Sequence, residues 1–198
     1  MTEAARKRMV AGLRWMIPAS LVRRFVRQQD GAAAIEFAFV ALPFLALTFA
    51  ILETALVFFA GQTLEAAAAE SGRLIMTGQA QTQHFDKAAF KQAVCDNIGG
   101  LFDCKNNIYV DVRTFTGSSS SSAFSQVAST INTSPIQNGK FDPTKTDFNM
   151  GGPQSIVVVR LYYEWPIYVS LLGNNLSNLN GSKRLLVATS VFKNEPYQ

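Results

Sequence analysis

Residues 23–60 read RRFVRQQDGAAAIEFAFVALPFLALTFAILETALVFFA, and this stretch decides how the rest of the chain is to be read. It opens on Arg23, Arg24 and Arg27 and reaches Asp30-Gly31; from Ala32 to Ala60 the ionisable residues are Glu36 and Glu53 alone. As a helix rising about 1.5 Å per residue, that segment extends roughly 43 Å. The hydrocarbon core of a bilayer is about 30 Å thick, so the segment is long enough to cross it. Soluble helices of this length show a polar face, and none is present, so residues 32–60 are read as a transmembrane helix. The basic flank is the charge signal that keeps an N-terminus cytoplasmic, which sends residues 61–198 to the far side.

Working outward, the charge is unevenly placed. The whole chain has 18 bases and 14 acids, a net of +4. Residues 1–30 carry a net of +5, with Arg6, Lys7, Arg8 and Arg14 adding to the three arginines above, whereas residues 31–198 carry −1. The basic balance therefore belongs to a leader, residues 1–31, and gives no reason to expect a nucleic-acid partner. Within residues 1–20, Met9 to Ile17 form a short apolar patch broken by Arg14 and ended by Pro18, too short to span. A secretory signal peptide is the competing account of the N-terminal region. It would have an apolar core of about 7–15 residues and a small-residue cleavage site, and the run here is about twice that length.

Glu36 carries the sharpest functional reading. A carboxylate in a membrane helix is costly in lipid and is generally retained for a task. If the chain were cut between Gly31 and Ala32, Glu36 would become the fifth residue of the product, one turn from the new α-amino group on Ala32. In a bundle of such helices, the amine of one subunit could pair with the Glu36 carboxylate of its neighbour, and each buried charge would have a partner.

A basic leader, Gly31, four mostly apolar residues, Glu36 and an apolar run resemble the processing site of type IV pilin-like proteins. The resemblance narrows with Gly31-Ala32-Ala33-Ala34-Ile35-Glu36-Phe37-Ala38 behind Arg27, then Ala41-Leu42-Pro43-Phe44-Leu45, Ile51-Leu52-Glu53, and the run Glu65 to Glu70 followed by Ser71-Gly72-Arg73. As a block these are similar to the TadE family, pilin-like subunits of the tight-adherence pilus machinery. The closing Val191-Phe192-Lys193-Asn194-Glu195-Pro196-Tyr197 is also similar to family C-termini. The resemblance implies a pseudopilin or minor pilin of the inner membrane, with its C-terminal domain periplasmic. It implies cleavage after Gly31 by a prepilin peptidase, and contacts with other pilus subunits and with assembly-platform proteins in the service of adhesion and biofilm formation. Ala32 stands where major pilins often carry a larger apolar residue.

Pro43 lacks a backbone donor and is expected to bend or locally open the helix. Glu53, 17 residues after Glu36, is expected to reach headgroups or water at the far interface rather than to take part in a buried pair. From Gly61 to Gly78 the alanine-rich sequence continues the helix, with Leu64, Ala67, Ala68, Leu74 and Ile75 as an apolar stripe and Gly78 as the stop. The predicted helix is about 45 residues long.

Beyond it, His84–Ile98 reads as a short helix with Phe85, Ala89 and Val94 or Cys95 inward. His84, the lone histidine, takes a surface or capping role. Cys95 and Cys104, with eight residues between them, form a disulfide in an oxidising periplasm; two free buried thiols are the alternative. Two Cys and one His fall short of four tetrahedral ligands, so no metal site is assigned. Ile108–Phe115 alternates with period two, placing Ile108, Val110 and Val112 on one strand face. Ser155–Trp165 and Arg184–Lys193 are two further strands.

Residues 117–153 lack firm periodicity and are expected to be a loose loop. The run Ser118–Ser122 has no His/Asp partners to make a nucleophile. The expected fold class is α+β: a long N-terminal helix packed on a small antiparallel sheet, which is also the plan of pilin-like folds. No cofactor, small-molecule substrate or catalytic residue is read from the chain, and a non-enzymatic role is expected. Two functional readings stay open: a processed pilus subunit, and an unprocessed single-pass envelope anchor whose outer domain binds a partner.

Overall fold

The computed structural model describes residues 30–100, 102–115, 120–132, 134–168 and 176–197. The leader ahead of Asp30, with its basic residues and apolar patch, lies outside the described residues, as do residues 169–175 between the last two strands. The chain divides into two units, at Thr48/Phe49.

Helix α1 (Asp30–Met76) is 47 residues long and passes Pro43 without interruption. In the first unit its large side chains are displayed outward, among them Phe37, Phe39, Val40, Leu42 and Phe44. An 18-residue window of α1 has a mean hydropathy of 2.3 with none of it buried. Three threonines of α1 turn their hydroxyls back onto carbonyls four residues earlier: Thr48 onto Phe44, Thr54 onto Ala50 and Thr63 onto Phe59. This satisfies polar groups in an apolar setting without leaving the helix.

In the second unit, α1 acquires a buried stripe: Glu53, Val57, Ala60, Leu64, Ala67, Ala68, Ser71 and Ile75. The spacing follows the 3.6-residue period, and the small residues let the helix lie close on what it covers. Gly72 belongs to the same close approach, because a Cβ there would come within 2.9 Å of the Phe192 ring. The helix ends as its sequence predicts. Gly78 adopts φ +78°, and Glu195 of the C-terminal tail donates its N–H to the Met76 carbonyl at 2.8 Å.

The covered surface is a three-stranded antiparallel sheet of order β1–β4–β5, made of β1 (Ile108–Phe115), β4 (Ile156–Pro166) and β5 (Lys183–Lys193). Register places Val110 opposite Leu161 and Leu161 opposite Ala188. Ile108, Val112, Val157, Val159, Tyr163 and Leu186 complete this face, and all join the α1 stripe in one core. Each such side chain contributes about 1.5–3 kcal/mol on burial.

Between α1 and β1 lie α2 (Gln79–Thr82), α3 (Lys87–Asn97) and α4 (Cys104–Asn107). Asp86 caps α3 by accepting the Ala89 N–H at 2.7 Å. The buried face of α3 is Phe90 and Val94, not Ala89, which is exposed. Expected and observed faces differ by one residue of helical phase. His84 is exposed, with φ 52°, in the turn before the cap. Cys95 and Cys104 are joined as a disulfide with Cα atoms 5.7 Å apart, tying the end of α3 to α4.

The stretch expected to be loose contains structure. Helix α5 (Ser120–Asn132), the hairpin of β2 (Ile136–Gln137) and β3 (Lys140–Phe141), and a 3-10 turn at Pro143–Lys145 occupy it. Residues 147–149 then run beside β1, with Val112 donating to Asp147 and accepting from Asn149. Serine content conceals a helix here, since serine offers the backbone competing hydrogen bonds and lowers intrinsic propensity. Among the described residues, helix and antiparallel sheet together make an α+β fold.

Candidate assembly site

Asp30 begins α1 and Gly31 comes directly after it. Among the described residues nothing lies within 4 Å of a Cβ built on Gly31, and its φ is not in the left-handed region. Neither packing nor backbone conformation therefore demands glycine there, although glycine in a helix costs about 1 kcal/mol relative to alanine. Ala32 beside it is exposed. Glu36 is also exposed, between Ile35 and Phe37, and has no polar partner among the described residues. Gly31, Ala32, Glu36 and Pro43 thus share an apolar helical segment whose outward face is uncovered.

Glu53 differs. Its sequence position predicts headgroups or water, and the structure overturns this: Glu53 is 6% exposed and accepts the backbone N–H of Tyr168. It is the first member of the stripe that seats α1 on the sheet. The place of Glu53 within the apolar run suggests exposure; its partner lies 115 residues away, beyond the reach of local pattern.

Residues 31–73 match the TadE family, described as TadE-like protein. The TadE-like segment spans the apolar half of α1 and most of its seated half, including Gly31, Glu36, Pro43 and Glu53. Comparison with curated proteins and with solved structures found no match. Among the described residues, one helix, which contains the TadE-like segment, is long and apolar enough to cross a membrane.

A second polar constellation lies on the sheet face away from α1, and sequence reading missed it. Arg160 donates from Nε and Nη2 to Asp111 Oδ2 at 3.0 and 2.6 Å, across the β1–β4 pair. Arg113 Nε and the Asp147 N–H both donate to Asp111 Oδ1, at 3.0 and 2.7 Å. Arg160 Nη1 reaches the Thr130 carbonyl of α5 at 2.8 Å, and its guanidinium carbon stands 5.6 Å from the Tyr162 ring centre. Asp111 and Arg160 are both buried, so removal of Asp111 leaves the Arg160 guanidinium without its carboxylate, at a cost of about 3–5 kcal/mol, whereas Asp111 without Arg160 keeps its contact with Arg113. The visible signal was Arg160 itself, one charge inside the apolar run Ile156–Tyr163.

These groups line a cavity of about 430 Å³ that is also bounded by Ser129, Lys145 and Tyr162. Burial pushes the Tyr162 hydroxyl up to about 12, with Arg160 opposing. Asp142, at the rim, is held below the usual carboxylate range by hydrogen bonds from the Thr144 hydroxyl and N–H. On the sheet's far strand, Lys183 is raised by its 2.7 Å bond to Glu164. The network fastens α5 and the 142–147 turn to the sheet, which is a structural task.

Proposed function

We propose that this protein is a pilin-like subunit of a tight-adherence pilus, a pseudopilin or minor pilin held in the inner membrane by α1. Its leader is cytoplasmic and its C-terminal domain periplasmic. A prepilin peptidase cuts it between Gly31 and Ala32, and Glu36 then pairs with the Ala32 amine of a neighbouring subunit. The observation that carries this reading is the TadE match over residues 31–73, lying on a helix whose residues 32–47 are apolar apart from Glu36. The glycine at 31 supports it, because packing among the described residues has no steric use for it while a peptidase that admits only a small residue before the cut has one. The partners are the peptidase, other pilus subunits and assembly-platform proteins. The chain's chemistry is to be a substrate and a building block.

The test is the N-terminal residue and intact mass of protein extracted from membranes of cells with a working secretion apparatus. Ala32 as the first residue is expected, and a chain still beginning at Met1 would identify an uncleaved anchor. Glu36→Ala is expected to insert normally and to abolish or impair pilus formation. Normal pili from that variant would remove the pairing role.

A further inference from the structure

Between Glu36 and Glu65 the one charged residue of α1 is Glu53, and Glu53 is buried. The uncharged exterior of the helix is therefore 28 residues long, roughly 42 Å at about 1.5 Å per residue. That is some 12 Å more than the hydrocarbon core of about 30 Å. Counting from Ala32, about 30 Å of helix is used up near Leu52, one residue before Glu53. Past Leu52 the helix is no longer bare: Glu53, Val57 and Ala60 face the sheet. Yet the other side of the same turns remains apolar and open, with Leu56 49%, Phe58 71% and Phe59 61% exposed. Tyr168 is 83% exposed and stands at the level of Glu53, because its own N–H is bonded to that carboxylate.

We propose that the unit beginning at Phe49 carries its own lipid-facing surface, formed by Leu56, Phe58, Phe59 and Tyr168, and that the headgroup–acyl boundary of a bilayer covers it. This rests on the reading of α1 as a membrane span. The hydrocarbon-embedded segment then ends near Leu52, not at Ala60. From Glu53 to Phe59 the helix rises about 9 Å, enough to traverse one interfacial layer of about 5–7.5 Å. Aromatic side chains with an apolar body and a polar edge favour that layer, and Tyr168 is such a residue. Glu53 fits the same picture. An acid at the lipid edge is tolerated because the Tyr168 N–H holds it inside the protein. The domain is thus seated on the membrane by a side-chain band, in addition to being tethered by its helix.

The experiment uses the full chain in phosphatidylcholine–phosphatidylglycerol vesicles, carrying one nitroxide at a time at Phe44→Cys, Phe59→Cys, Tyr168→Cys or Lys145→Cys. Substitution at Tyr168 leaves the backbone N–H that binds Glu53 in place. The oxygen-to-nickel collision ratio at 59 and 168 is expected to lie between those at 44 and 145, and severalfold above the latter. If 44 is lipid-shielded while 59 and 168 collide with the nickel reagent as freely as 145, the proposal is overturned and the span stands. If 44 is as open as 145, the span itself fails, and this inference with it. Shielding of 59 and 168 from both reagents, with dipolar broadening, would assign the surface to a second copy and also overturn it.

Discussion

The two halves of α1 share one helix and are both rich in alanine and large apolar residues, yet they differ in what stands opposite them. Leu42 is 70% exposed, whereas Leu64 is fully buried against the sheet. Glu36 is exposed and without a polar partner among the described residues; Glu53 is buried and bonded. The first half is apolar on all sides, as a helix able to cross a bilayer would be. The second has a stripe because one side of it has a partner within the chain. Hydrophobicity alone therefore does not say which residues hold the domain together.

The largest effect should come from making the same cut in both halves. Leu64→Ala is expected to lower the unfolding free energy of the domain by about 2–5 kcal/mol, the range for deleting a buried leucine side chain. Leu42→Ala is expected to change it by no more than about 0.5 kcal/mol. Urea unfolding in detergent, followed through Trp165 in the core, measures both, and equal losses would erase the distinction. Reductant sharpens it next. Opening the Cys95–Cys104 loop should cost the domain about 2–3 kcal/mol by loop entropy, and leave the helical signal of the apolar half unchanged.

The two acids give a smaller contrast. Glu53→Ala orphans the Tyr168 N–H and should cost about 1–3 kcal/mol of domain stability, whereas Glu36→Ala should cost none that urea titration can resolve. A domain indifferent to Glu53→Ala would put that residue in the same class as Glu36. The smallest effect is a pH response confined to the domain. The folded Tyr162 hydroxyl titrates near 12 against an ordinary 10, so above pH 10 the unfolded chain loses a proton that the folded chain keeps. Stability should fall as pH rises from 10 to 12, and Tyr162→Phe should reduce that slope. An unchanged slope would mean that the hydroxyl is solvated in the folded protein.

Several elements are legible without coordinates. The stop at Gly78, the alternation of Ile108–Phe115 and the two later strands come from local rules, and the structure has them within a residue. Cysteines nine apart are enough to propose the bridge that the structure contains. Helix α5 is hidden in serines, and Ala89 is expected inward where Phe90 belongs, because an 11-residue helix gives a weak phase.

What the sequence determined by itself is whatever depends on near neighbours. Helix length, strand alternation and the apolar run are set by period and propensity over a few turns, and the TadE-like pattern around Gly31 and Glu36 is equally local. The tertiary structure alone decided the fates of charges and faces. Asp111 meets Arg160 across 49 residues, and Glu53 meets Tyr168 across 115. The physical reason is that a side chain's burial is a property of the surface brought opposite it, and no window along the chain contains that surface.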